Sequence, residues 1–387
     1  MRNERGGTSG LVSRAARIGE EVAAAVADDV DRRARFPVES LDAMRAEGLL
    51  SILVPASLGG KGAGILETAK VVAALGQHCA STAMICAMHQ IQVACLVRHG
   101  HNDHLRAFKE DLVTRQPLLA SATTEVGVGG DVRTSVCALE RENGRFRLEK
   151  QAPVISYGEQ ADGVLATARR TTNSPPNDQA LVLCTPPNLS LKRVSDWDTL
   201  GFRGTCSPGF VLEASGDEAC VLDDPFDEIA SHTMVPVAHV LWSAVWLGIA
   251  SAAVERASAF VRAEARKKPG TTPPAALRLA EVSALHQQMV ELVFGTARHY
   301  DEVSQDPETL EGMGFAIAVN GLKVSASTMV VEVVGRAMAV CGMAGYREDS
   351  PYSMGRLIRD AYGAALMVNN DRIIANNAQM LLVHKDA

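Results

Sequence analysis

The segment WDTLGFRGTCS occupies residues 197–207 of a 387-residue chain. Gly201 and Gly204 flank Phe202 and Arg203, a composition unsuited to the interior of a helix or strand. The segment is therefore a loop, with the Arg203 cation between two positions that lack a Cβ. Before it, from Pro117, come short β-type runs: LLASAT, SVCALE, RFRLE, GVLATAR and ALVLCTP; GFVLEA follows it. ENG at 142–144 and SPPND at 174–178 supply turns between runs. Alternation is clearest from Arg145 to Glu149. Residues 117–232 thus read as a compact antiparallel β-domain.

Helical patterns lie on both sides. Residues 11–35 carry apolar positions at helical spacing, and Pro37 opens another helix through Val38, Leu41, Met44 and Leu49. PASLGGKGAG at 55–64 is a loop, and residues 65–98 are apolar on most faces. After the β-type third, 237–268, 274–305 and 309–340 are long helices, with a last one from about Ser353. The expected order is an N-terminal helical domain (1–116), a middle β-domain (117–232) and a C-terminal bundle of four long helices (233–387). The βα alternation of a doubly wound nucleotide fold is missing.

Composition narrows the functions. Apolar residues make up 47% and charged residues 21%, as in ordinary globular proteins, and the net charge of −7 offers nothing to nucleic acid. Aromatics are scarce at 4% while alanine is abundant, which favours close helix crossings. The eight cysteines form no CxxC and no zinc-ligand spacing, so reduced thiols in a cytoplasmic protein are expected. HGHNDH, 99–104, has the residue types of a metal cluster but no matched carboxylate nearby in sequence; it reads as a solvated helix end, and no metal is expected. MRNERGGTSG lacks a signal-peptide core, and no uninterrupted apolar run suggests a membrane span.

Further loops can carry chemistry. TTEVGVGGD, 123–131, is a Gly-rich turn after an apolar strand, where backbone amides can approach a ligand. CGMAGYREDSP, 341–351, leaves a long helix, and RLIRDA follows at 356–361. With WDTLGFRGTCS and ISYGEQADGVLATAR (155–169), these motifs in this order resemble the acyl-CoA dehydrogenase superfamily across the whole chain. The resemblance implies a flavin, FAD in preference to FMN, between the β-domain and the bundle. Ser121, Thr124, Gly129 and Gly130 would meet the ring from the first loop. Ile155 and Ser156 would cover its other edge, and Arg266 would hold the pyrophosphate. Gly342 and Met343 would approach a flavin bound to a partner subunit, within a homotetramer built as a dimer of dimers. Arg203, Val368, Asn369 and Asn370 would line the substrate. The sequence departs from the family pattern at Val154, where a Trp is usual, and at RKKPG (266–270), which lacks the usual Phe.

The largest departure is in DAYGAALMVNNDR, 360–372. Family dehydrogenases remove a substrate α-proton with a Glu eight residues beyond the Asp of this motif; here that place holds Val368. The alternative family position falls at Ala238, beside His239. His239 is therefore the first candidate base and His89 the second. Asp371 is expected to pair with Arg372 or Arg359. Three functions remain open. One is a flavin oxidoreductase acting on an acyl thioester, carried by CoA or an acyl-carrier protein, with a non-standard base and an electron-transfer partner. Another is a two-component monooxygenase taking reduced flavin from a separate reductase together with O2. The last is a flavin-binding but redox-silent protein.

Overall fold

The computed structural model describes residues 5–129 and 131–384. Six helices come first: α1 (Arg5–Ile18), α2 (Ala24–Arg33), α3 (Val38–Ala46), α4 (Ile65–Gly76), α5 (Ala80–His99) and α6 (Asp103–Thr114). Seven strands follow: β1 (Leu119–Ala122), β2 (Glu140–Glu142), β3 (Arg145–Ala152), β4 (Gly163–Arg169), β5 (Gln179–Cys184), β6 (Leu189–Arg193) and β7 (Phe210–Asp217). Then come α7 (Phe226–Ile229), α8 (Val235–Lys267), α9 (Ala275–Val303), α10 (Pro307–Glu311), α11 (Met313–Cys341), α12 (Met343–Tyr346), α13 (Gly355–Tyr362) and α14 (Asn370–Leu381). The expected single final helix is in fact two, α13 and α14, parted by an irregular turn.

The strands form two sheets, in the orders β1-β4-β5 and β2-β3-β7-β6. One pairing corrects the antiparallel expectation. β1 and β4 run parallel, Leu119 opposite Gly163, because the β2–β3 hairpin departs to the other sheet and makes a long crossover between them. β4 and β5 are buried almost throughout, which accounts for their unbroken apolar runs. β3 alternates strictly between exposed and buried positions, as its sequence requires. SVCALE yields only a bridge at Ala138 and the edge strand β2. LSLKR, which carries β6, has mostly exposed or half-buried side chains.

Helix ends are fixed by side chains. The Asn102 side chain accepts Leu105 N at the start of α6. The start of α4 is capped from another helix: Asp301 of α9 accepts Ile65 N at 2.7 Å and Leu66 N at 2.9 Å. Small residues set the helix crossings. A Cβ on Gly248 of α8 would lie 2.6 Å from Ala73 O and 2.7 Å from Gly76 Cα of α4, so only glycine permits that approach.

Three helical stretches, Ala80–His99, Phe226–Lys267 and Met313–Cys341, are long and apolar enough to cross a membrane by length and composition. The first two are buried within the protein on most sides, so their apolar character serves its own core; α11 is less than half buried. All eight cysteines are free.

The WDTLGFRGTCS loop is where the layers meet. Gly201 lies against the α13 backbone, where a Cβ would come within 2.3 Å of Arg359 O. Gly204 lies against α2 and α5, where a Cβ would come within 2.3 Å of Val30 Cγ1 and 3.0 Å of Ser81 Cβ. Phe202 N donates to Asp360 Oδ1 at 2.7 Å. Arg359 closes the joint with a two-pronged bond to Asp31, at 2.8 and 2.5 Å.

Candidate functional site

The Gly-rich loop leaves β1 and is anchored by Glu125. This buried carboxylate accepts from Ser135 Oγ (2.6 Å), Val136 N (3.0 Å), Cys137 N (2.6 Å) and Lys150 Nζ (3.2 Å). Lys150, on the inward face of β3, is fully buried and also donates to Thr167 O at 2.8 Å. Burial pushes the Glu125 carboxyl up, but Lys150, the Ser135 hydroxyl and the two amides outweigh it and hold the group below its ordinary value. Removing either partner would strand a buried charge. Glu125 is thus the loop's anchor. Beyond it Gly127 and Gly129 take φ of 98° and 58°, left-handed values that glycine adopts without strain. Gly130 lies outside the described residues.

A ledge of hydroxyls lies beside this loop. Thr124 Oγ1 donates to Val154 O at 3.2 Å. The Val154 side chain is exposed, an apolar surface at the place where the family pattern has Trp. Ser156 Oγ accepts from Ser207 Oγ at 2.9 Å, and Ser207 is itself 2.8 Å from Thr205 Oγ1. Ser121 is half-buried on β1, opposite Leu165. Ile155 corrects one expectation: its side chain is sealed in the core, packed near Gly158, so it covers nothing outside.

The facing wall is the turn between α13 and α14. Arg372, in the first turn of α14, donates to Gly129 O, which sets this turn against the loop tip. Val368 is 40% exposed and has φ +46°. Asn369 caps α14 by accepting Asp371 N at 2.8 Å. Asn370 turns inward: its Oδ1 accepts from Lys323 Nζ at 2.7 Å and its Nδ2 donates to Ser327 Oγ at 3.0 Å. Asn370 is therefore committed to α11, where the sequence pointed to a substrate contact. The expected Asp371 pairing is also corrected, since Arg359 bonds Asp31 and Arg372 reaches Gly129 O.

Neither candidate histidine is placed as a base. His89 is fully buried, its Nε2 2.7 Å from Leu50 O and its Nδ1 accepting Leu119 N at 3.0 Å. The ring is a neutral cross-link between α5 and β1, and burial pushes its pKa down to about 4. His239 lies in the second turn of α8 and is also buried. Burial pushes it down to about 4, the Lys323 cation acts in the same direction, and its bond to the Val319 backbone only partly offsets them. Its Nδ1 has no partner. The ring is therefore neutral at pH 7, and it is its place in the core, 3% exposed, that keeps it from a substrate. His239 meets the turn only through Lys323, which donates to Val368 O at 2.8 Å.

The other expected residues lie apart. Arg203 is committed to the joint, donating to Asp31 O (2.9 Å), Asp198 Oδ1 (3.0 Å) and Thr199 O (2.6 Å), which corrects its expected substrate role. Arg266 is exposed in the last turn of α8. Gly342 ends α11 with φ +57°, and Met343 beside it is exposed. The loop, the Thr124–Ser156 ledge and the Val368 turn are therefore brought together; Arg266, Gly342 and Met343 are left for a different contact.

Lys323 escaped the sequence reading. It is fully buried, lies 5.8 Å from the Trp246 ring centre, and is pushed down to about 8 by burial. Its one signal was a lone cation inside the apolar stretch GFAIAVNGLKVSAS.

Known proteins share this architecture. Residues 9–115 match the N-terminal domain and residues 232–368 the C-terminal domain of acyl-CoA dehydrogenase. The amino sugar nitrososynthase DnmZ of Streptomyces peucetius is 27% identical over 88% of this chain and 84% of its own. FMN-bound TdsC of Paenibacillus sp. A11-2 superposes with a TM-score of 0.84 at 19% identity, covering 97% of this chain and 98% of its own. Butyryl-CoA dehydrogenase of Megasphaera elsdenii gives 0.83 at 19% identity, over 99% and 100%. With both terminal domains matched and the helix–sheet–helix order intact, the chain belongs to the acyl-CoA dehydrogenase family of flavin oxidoreductases.

Proposed function

We propose that this enzyme is an oxygenating member of its family, using reduced flavin and O2 on a small nucleophilic substrate such as an amine. One observation carries the reading. The place where a family dehydrogenase holds its catalytic carboxylate is Val368, and both candidate replacements, His239 and His89, are sealed in the core. Dehydrogenation of a thioester requires removal of an α-proton; attack by an amine lone pair on oxygen does not. The nitrososynthase relative, whose name gives it nitroso chemistry on an amino sugar, supports the same direction.

The residues fit a flavin. Exposed Val154 offers an apolar surface for a flat ring, and the Thr124 and Ser156 hydroxyls stand at its margin. Bound reduced flavin would supply the two electrons that divide O2, one oxygen passing to the substrate and one leaving as water. The chain's own part is to place the ring on the Thr124–Ser156 ledge and to shield the reacting face with the Val368 turn. Arg266 would serve a pyrophosphate, which favours FAD over FMN. A homotetramer accords with the half-covered α11 and with Met343 and Tyr346, exposed beyond its end, and a cytoplasmic location is proposed with it.

The test is a paired one. Protein supplied with reduced FAD or FMN, O2 and a panel of primary amines should yield oxygenated amine dependent on an added flavin reductase. Anaerobic bleaching of bound oxidised flavin by an acyl thioester would overturn the proposal in favour of the dehydrogenase reading, with an electron-transfer partner.

A further inference from the structure

The segment HGHNDH is solvated from His101 onward, as its sequence suggests, but its first histidine turns inward. His99 closes α5 and is only 3% exposed. Carboxylates missing from its sequence neighbourhood arrive from the segment that follows the sheets. His99 Nδ1 lies 2.7 Å from Asp224 Oδ2, and His101 Nε2 lies 3.4 Å from the same oxygen. Glu228, on α7, completes a set with His99 and Asp224 whose ligand atoms all lie within 4.8 Å of one another.

The surroundings are organised around this set. His99 Nε2 is 2.7 Å from Thr233 Oγ1, a hydroxyl able to accept the ring proton and fix the tautomer. Asp223 accepts the amides of His101 (2.6 Å) and Asn102 (3.2 Å), which holds the His101 loop in place. His232, one turn beyond Glu228, is buried; its Nδ1 is 3.9 Å from Glu228 Oε1, its Nε2 is 3.4 Å from Glu311 Oε1, and Nε2 makes no hydrogen bond. Tyr300 donates to His232 O at 3.0 Å and steadies that turn.

We propose that His99, Asp224 and Glu228, with His101 as fourth ligand, bind one divalent transition-metal ion, with zinc as the best fit. Two imidazoles and two carboxylates match the nitrogen and oxygen preferences and the four-coordinate habit of zinc, and disfavour magnesium and calcium. His101, 3.4 Å from Asp224 Oδ2, must swing toward the other ligands to complete the set. The His99 proton moves from Nδ1 to Nε2 and is donated to Thr233, Nδ1 gives its lone pair to the metal, and no net proton is released. The Nδ1 to Oδ2 separation opens by about 0.7 Å to admit an ion with tetrahedral bonds of about 2.0–2.2 Å. The ion would clip the end of α5 and its loop to α7, at the entry to the long helix α8. It is a structural site, built on other elements than the Val368 turn.

Full-length protein, stripped with EDTA and titrated calorimetrically with zinc chloride near pH 7.5, should bind one equivalent per chain. Zinc at a hundredfold excess over its dissociation constant should raise Tm by several degrees, while magnesium should not. Cobalt(II) should give visible bands of four-coordinate character. Glu228→Gln, at a largely solvent-facing ligand, should fold normally and weaken zinc binding at least tenfold. His104→Ala, whose ring faces Cys220 at 3.4 Å, should bind zinc like the wild type. Less than one equivalent in the wild type, or equal zinc affinity in folded Glu228→Gln, would overturn the proposal.

Discussion

Val368 carries a β-branched side chain on a left-handed backbone, a conformation that costs an ordinary residue about 1–2 kcal/mol. Lys323 holds it there through the Val368 carbonyl. Val368→Gly should therefore stabilise the protein, by about 0.5–1 kcal/mol once the entropy of a new glycine is deducted; chemical denaturation measures it, and a loss of stability would show that the turn is not strained. His89 offers a second residue-scale test. Its two bonds join α5 to β1, and His89→Ala leaves Leu50 O and Leu119 N without partners in the core. That change should cost about 2–4 kcal/mol. Under the oxygenase proposal it should leave turnover per folded, flavin-loaded molecule within a few fold, whereas a loss of a hundredfold or more would restore His89 as a catalytic group. The sequence could place both histidines in apolar helices, but the groups that meet their rings lie far along the chain, Leu50 and Leu119 for His89 and Val319 for His239.

At the scale of elements, the joint around WDTLGFRGTCS is closely constrained on two sides. Gly201→Ala would drive a Cβ into the Arg359 carbonyl and should destabilise by about 3 kcal/mol or more. Gly144→Ala makes a control, since it has φ +73° but open space around it, and should cost about 1–2 kcal/mol. The loop's distinctiveness was legible in its glycines, and so was the order of helices and strands, because periods near 3.6 and 2 are local signals. Partner choice was not. The parallel β1–β4 pairing, the Asp31–Arg359 bond between residues 328 apart and the Asp301 cap on α4 each rest on contacts that local patterns do not encode. β6 escaped for a different reason, being short and weakly apolar. At the candidate site, the loop and the missing carboxylate were readable from spacing, while the Glu125–Lys150 anchor and Lys323 needed the folded chain.

For the whole molecule, buried ionisable groups set the response to acid. His89 and His239 are pushed down to about 4 from an ordinary value of about 6.5, so between these pH values the unfolded chain binds about two more protons. Stability conferred by the neutral rings is complete above pH 6.5 and is lost as pH falls, on the order of 3 kcal/mol per ring by pH 4. Asp360 acts with the opposite sign. Burial pushes it up to about 6, against the Phe202 amide and nearby arginines, so the folded state binds the extra proton between about 6 and 3.8. Its favourable contribution is complete at the acidic end and is lost as pH rises through about 6. Wild-type Tm should therefore fall from pH 7 to 4.5, and Asp360→Asn, which keeps an acceptor for Phe202 N, should fall more steeply. Parallel pH profiles of the two proteins would refute this sign assignment.

The joint also bears on how this protein can be rebuilt. Its middle sheets enter and leave the chain as one insert, yet the insert's loop is moulded to Val30 and Ser81 on one side and to Arg359 and Asp360 on the other. A chimera that grafts a relative's middle segment at the obvious borders would import a loop shaped for foreign neighbours. Successful grafts should need those four positions to travel with the insert, which makes the unit of exchange a discontinuous patch drawn from three parts of the chain.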